Sequence, residues 1–141
     1  MKDKLYREVY WLLRVTSIHL KVRLQKMIED YDITWQQFHA MYHIGDEGIP
    51  ATELAKELNC NTSNMTGLID RMSENNWVYR ERSKSDRRIW LIKLTKAGIA
   101  LKAKLMPQHH QNLYRIMSVL SEEELICLKA LLMKLDNRED V

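Results

Sequence analysis

Glycine and proline are scarce in this chain, with four and two respectively among 141 residues. So few chain breakers argue for a mostly helical protein. Cysteine, like proline, occurs twice. Cys60 and Cys127 stand far apart without metal-ligand spacing, which leaves reduced thiols as the plain reading. No apolar run approaches the length needed to span a membrane, and Lys, Arg and Glu interrupt the N-terminal stretch where a signal peptide would be uniformly apolar. A cytoplasmic protein with no membrane contact is therefore expected. Glycine-rich phosphate loops, nucleophile elbows and close catalytic pairs of carboxylates are all missing, so no enzyme is expected. Internal repeats and low-complexity linkers are missing as well.

What is there suits one domain with a core. Hydrophobic residues make up 45% of the chain, which excludes intrinsic disorder, and its length leaves no room for two substantial domains. Net charge is only +3, but it is unevenly spread. From Arg80 to Lys104 nine basic residues face two acids, whereas from Ser121 to Val141 six acids face three bases. A local basic patch is a footprint for polyanions.

Apolar residues at three- and four-residue steps predict a helix from Lys4 to Tyr31 (Leu5, Val9, Leu12, Leu13, Leu20, Leu24, Met27, Ile28). At 1.5 Å per residue it would be roughly 40 Å long. A domain this small cannot cover such a helix, so part of it is expected to meet another subunit. Thr34 and Gln37 form a capping box, opening a helix whose buried face is Trp35, Phe38, Met41 and Tyr42. Gly45 to Gly48 ends it. Pro50 can start a short third helix carrying Leu54, Ala55 and Leu58. After the turn Asn59-Cys60-Asn61, Asn61 caps a fourth helix with Met65, Leu68, Ile69 and Met72 inward. Asn75 and Asn76 tolerate the left-handed backbone that ends it.

Two strands follow, Trp77 to Arg82 and Arg88 to Leu94, joined by the charged turn Ser83 to Arg87. Ile89, Leu91 and Leu94 are expected on one side of the second strand, with Arg88, Trp90 and Lys93 nearer the other. Thr95 caps a helix reaching about Leu120, in which Pro107 should produce a kink. Ser121 with Glu124 caps a last helix striped with Leu125, Leu128, Leu132 and Leu135.

The third and fourth helices have the lengths and pattern of a helix-turn-helix. The outward face of the fourth carries Thr62, Ser63, Asn64, Thr66, Gly67, Asp70 and Arg71. Small hydroxyls and amides near a helix N-terminus can bond to base edges and phosphates. The basic hairpin beside them makes this more than ordinary capping and solvation. The fold class expected is mainly α with a small β-wing, a winged helix-turn-helix (34–98) flanked by N- and C-terminal dimerisation helices (1–31 and 99–141).

The segments Leu54-Ala55-Lys56-Glu57-Leu58, Ser63 to Met72, Trp77-Val78-Tyr79-Arg80, Asp86-Arg87-Arg88 and Leu94-Thr95-Lys96-Ala97-Gly98 together resemble the MarR family of bacterial transcriptional regulators. The Asp-x-Arg wing followed by Leu-Thr-x-x-Gly is the most specific part, and the likeness extends over essentially the whole chain. It implies a homodimer with interleaved terminal helices that binds double-stranded DNA at a pseudo-palindromic operator. The fourth helix would enter the major groove, and Arg88 would reach into the adjacent minor groove with Asp86 orienting the wing. Thr62, Ser63, Asn64 and Thr66 would face bases or phosphates. Arg71, Arg82, Lys84, Arg87 and Arg88 would supply backbone and minor-groove contacts. Two positions depart from the family: Gly67, where a longer side chain is common, and Asn76, where glycine is usual. Gly67 is expected to remove a possible contact and to cost about 1 kcal/mol of helix propensity relative to Ala.

The resemblance also implies a small aromatic or amphipathic effector, with Trp11, His19, Trp35, His39, Met41 and Tyr114 as candidate liners. His39 and His43, four residues apart, could share a metal, and His109 and His110 add further imidazoles. No carboxylate or cysteine completes a ligand set by spacing, so no metal or cofactor is expected. Relatives that sense peroxide carry a cysteine in the first helix, and here that helix has none. A metal- or thiol-responsive regulator of the same fold remains an alternative, with Cys60 beside a helix N-terminus as the thiol. A winged-helix module that binds protein rather than DNA would carry a neutral or acidic wing and an apolar recognition face, neither of which is present.

Overall fold

Four of the helices start at a side chain that bonds back to their first free N–H groups. In the computed structural model, which describes residues 1–136, Thr34 and Gln37 close a reciprocal capping box at the start of α2 (Trp35–His43). Ser121 and Glu124 close another at α6 (Glu122–Leu135). Asn61 accepts the Asn64 N–H at 2.8 Å to open α4 (Thr62–Glu74). Each such cap is worth about 1 kcal/mol. The expected dimerisation segment 99–141 runs past Asp136, so its last five positions lie outside the described residues.

The remaining elements are α1 (Lys2–Lys26), a 3-10 turn (Glu29–Tyr31), β1 (Ile49–Pro50), α3 (Ala51–Glu57), β2 (Val78–Arg82), β3 (Trp90–Leu94) and α5 (Lys96–Met117). The chain divides into two compact units, Met1–Met106 and Pro107–Val141. Pro107 lies inside α5, which continues through it.

The core of the first unit is built from the helix-turn-helix. Phe38 and Met41 of α2, Leu54 of α3, Met65, Leu68, Ile69 and Met72 of α4, and Ile92 of β3 are all buried. Burying one such side chain contributes about 1.5–3 kcal/mol. This inner stripe on α4 leaves its other face to solvent. On α1, by contrast, Leu24 is the single buried residue. Leu5, Val9, Trp11, Leu12 and Ile18 are exposed, as are Ile126, Leu131 and Met133 of α6.

Several expectations need correction. The first helix stops at Lys26 rather than Tyr31, because the chain tightens into the 3-10 turn and Asp32 takes a left-handed backbone (φ 55°). Tyr42 is exposed, while Gln37 and Ala40 are buried on α2 in its place. Of the two asparagines after α4, only Asn76 is left-handed (φ 62°). A third strand, β1, pairs antiparallel with β3 to give the order β1-β3-β2.

The expected faces of β3 are also corrected. Ile92 is the buried residue, and Trp90, Ile92 and Leu94 share a face by their two-residue spacing. Leu91 and Leu94 are three apart and point to opposite faces, so they cannot form one apolar side.

Two glycines let backbones meet. Gly48 (φ 81°) precedes β1, and a Cβ there would stand 2.9 Å from the Ile92 carbonyl oxygen. At Gly98, a Cβ would fall 2.1 Å from the Trp77 carbonyl oxygen. That absence of a side chain seats the start of α5 against the beginning of β2. Thr95 completes the junction by donating its hydroxyl to the Asn76 carbonyl and accepting the Gly98 N–H.

Candidate nucleic-acid interface

The exposed face of α4 begins at its N-terminus, where backbone N–H groups and the helix dipole favour negative charge. Thr62, Ser63, Asn64 and Thr66 are all exposed there, as expected. The Thr66 hydroxyl turns back to donate to the Thr62 carbonyl at 3.0 Å. Ser63, Asn64, Gly67 and Arg71 line a groove of about 290 Å³ together with Gln36 at the start of α2. Cys60, half-buried against the core, also borders it. Cys127 is exposed on α6.

The hairpin beside α4 is held by polar contacts. Asp86 accepts from Arg88 three times: from the backbone N–H and Nε at 3.1 Å and from Nη2 at 3.2 Å. These bonds hold the Asp86 carboxyl below its ordinary pKa, the side-chain bond first and the backbone bond second. The Arg88 side chain remains 90% exposed. It is thus oriented by Asp86 and still open to a partner. Lys84 and Arg87 are exposed at the same tip.

Arg82 behaves differently from the other basic residues. Opposite Trp90 in the β-ladder, its guanidinium lies 4.2 Å from the centre of the Trp90 ring and donates to the Arg87 carbonyl. Arg82 therefore braces the wing from below. The buried Ser83 completes the turn: its hydroxyl meets that of Ser85 at 3.0 Å, and its N–H donates to the Ile89 carbonyl.

Sequence reasoning missed three parts of this arrangement. Arg80 of β2 donates to Asp70 of α4 at 2.7 Å, tying the hairpin to the helix. Lys93 and Glu81 pair across the strands at 2.7 Å, which raises the lysine pKa and lowers that of the glutamate. Gln36 was not singled out. Its signal lay in the α2 capping box, whose phase turns position 36 away from buried Gln37 and Phe38.

The effector candidates are scattered by exposure. Trp11 and His19 are exposed on α1, and Tyr114 is 77% exposed on α5. Trp35 packs on the core, with its ring 5.7 Å from Phe38 and stacked 6.2 Å from His39. Met41 is wholly buried, so it serves the core. His39 and His43 approach to 3.3 Å between their Nε2 atoms, and His43 Nδ1 lies 3.9 Å from Glu57. Burial, and secondarily His43, push the His39 pKa down. His109 is buried and His110 exposed on α5. Among the described residues no three potential ligands cluster around a metal position, and no helix is long and apolar enough to cross a membrane.

Comparison with known proteins agrees with this geometry. A model of the MarR family matches residues 33–90. The chain is 30% identical over 120 residues to the HTH-type transcriptional regulator PecS of Dickeya dadantii, covering 82% of this chain and 72% of that protein. The structure of S. aureus MepR in complex with DNA is 27% identical, with a TM-score of 0.80 over 89% of this chain and 92% of MepR. Bordetella bronchiseptica BpsR, whose DNA binding is regulated by 6-hydroxynicotinic acid, is 25% identical, with a TM-score of 0.79 over 92% and 93% of the two chains.

Proposed function

The chain belongs to the MarR family of DNA-binding transcriptional regulators, and from that premise we propose a homodimeric repressor that a small molecule releases from a pseudo-palindromic operator. The observation that carries this is the wing. A basic tip with Arg88 held outward by Asp86 stands beside the polar face of α4. Thr62, Ser63, Asn64 and Thr66 face the major groove with Arg71, while Lys84, Arg87 and Arg88 meet phosphates and the minor groove. Arg88 favours narrow, A·T-rich minor grooves, where the negative potential is strongest. Arg82 acts through the wing that it braces.

Residues 34–98 form the DNA-reading part of one functional domain, and the helices in 1–31 and 99–141 form the dimer. The exposed apolar side chains of α1 and α6 support that assignment. A second copy would remove them from water, and its two-fold symmetry would space two reading heads over a symmetric operator. Bound across a promoter in the cytoplasm, such a dimer excludes polymerase. A small aromatic or amphipathic ligand seated against Trp11, His19, Trp35 and His39 would alter that spacing. BpsR, with its aromatic acid, is the supporting precedent.

A gel-shift of wild type and Arg88→Ala on a random-sequence-selected duplex tests the reading. The variant is expected to bind more weakly while sedimenting as the same dimer. Unchanged affinity would remove the wing from the interface. No duplex binding by wild type at low salt would favour a protein-interaction module instead.

A further inference from the structure

Gly67 interrupts the side chains on the exposed face of α4, and Arg71 occupies the opening. Ser63, Gly67 and Arg71 follow one another at four-residue steps, so they lie in one row along the helix. Helical side chains lean toward the N-terminus, which sends Arg71 back over the turn containing residue 67. A Cβ on Gly67 would stand 3.3 Å from Arg71 Nη1. The guanidinium therefore lies over the glycine and forms one wall of the groove bounded by Ser63, Asn64 and Gln36. Asp70, its neighbour in sequence, is engaged by Arg80. Among the described residues Arg71 takes part in none of the ion pairs.

The result is an arginine fork lying over the middle of the reading face instead of extending from the far end of the helix. A recognition helix in the major groove sets its N-terminal residues against base edges, and Gly67, over which the guanidinium lies, falls in the N-terminal half of α4. The donors of a guanidinium match O6 and N7 of guanine in a bidentate pair. We propose that Arg71 reads a guanine in each operator half-site through the space left at Gly67, and that Gly67 is thereby a specificity determinant. Gln36 holds the adjacent backbone with its amide. The expectation that Gly67 merely removes a contact is replaced by one in which it hands that contact to Arg71. This inference rests on α4 entering the major groove.

The test is selection from a random-sequence duplex library, with wild type, Arg71→Ala, Arg71→Lys and Gly67→Leu compared by sequencing the bound fractions. Thermal melts serve as the folding control for each protein. Wild type is expected to prefer guanine at one position of each half-site by roughly 5- to 150-fold. Arg71→Ala loses that preference at that position alone. Arg71→Lys loses it while keeping its charge, because an ammonium lacks the planar fork. Gly67→Leu loses it with Arg71 still present. A guanine preference that survives in Arg71→Ala, with affinity uniformly lower and the salt slope shallower by about one, would make Arg71 a phosphate contact. That result overturns the proposal and leaves DNA binding intact. A preference unchanged in Gly67→Leu overturns the role of the glycine. A wild-type protein that enriches no sequence takes both this proposal and the operator reading down together.

Discussion

The recognition helix and the wing stand side by side but are held by different physics. Four buried side chains, Met65, Leu68, Ile69 and Met72, anchor α4 from below. The wing has no comparable core at its tip. Its shape comes from the Asp86–Arg88 fork, the Arg82–Trp90 stack and the Ser83 hydrogen bonds. Apolar burial is not screened by salt, whereas exposed ion pairs weaken with salt and are individually worth about 1 kcal/mol or less. The helix is thus a fixed template, and the wing is an adjustable arm oriented by charge.

Breaking the anchor should have the largest effect. Ile69→Ala leaves a cavity under α4 and is expected to cost about 2–5 kcal/mol of stability, read by denaturant unfolding. DNA affinity should fall with it, because the reading face loses its support. Arg88→Ala should act on binding alone, weakening it by about 1–3 kcal/mol while unfolding is unchanged. If its unfolding midpoint moved as well, the separation between template and arm would fail. Asp86→Asn should be milder, because Arg88 keeps its charge and loses only its orientation. A loss of up to about 1 kcal/mol in DNA affinity is expected, measured by fluorescence anisotropy at low salt.

Acid separates the two regions by a different route. The lowered pKa of His39 means that the unfolded chain takes up a proton near pH 6.5 while the folded chain resists it. Stability should therefore fall as pH drops below that value, until His39 protonates in the folded state too. His39→Gln should flatten this part of the melting profile. The Asp86 hold on Arg88 has the same sign but belongs to a lower pH window. It is complete above the ordinary aspartate value of 3.8 and fades only as pH falls through the lower folded value. The Arg88 Nε–H resonance should accordingly stay unchanged while the melting temperature declines.

The legibility of the sequence divides along the same line. Caps at Thr34, Asn61 and Ser121 and the inner stripe of α4 were readable, since local hydrogen bonding and a 3.6-residue period act within a few positions. The faces of β3 were misread because Ile89, Leu91, Ile92 and Leu94 are all apolar and blur a two-residue alternation. Strand β1 has only two residues and exists through its pairing with β3, which no local pattern announces. The same holds for Arg80–Asp70 and Arg82–Trp90, whose partners lie ten and eight positions apart. Position 67 was legible as an unusual glycine, but what filled its space depended on the lean of Arg71.

The salt dependence of duplex binding tests the central claim most directly. Affinity of the wild-type protein for a short A·T-rich duplex should fall linearly on logarithmic axes as salt rises, with a slope of about −0.9 per phosphate neutralised. In Arg88→Ala that slope should be shallower by about one unit. A wild-type protein with no affinity for duplex at low salt, or with affinity indifferent to salt, would contradict the account.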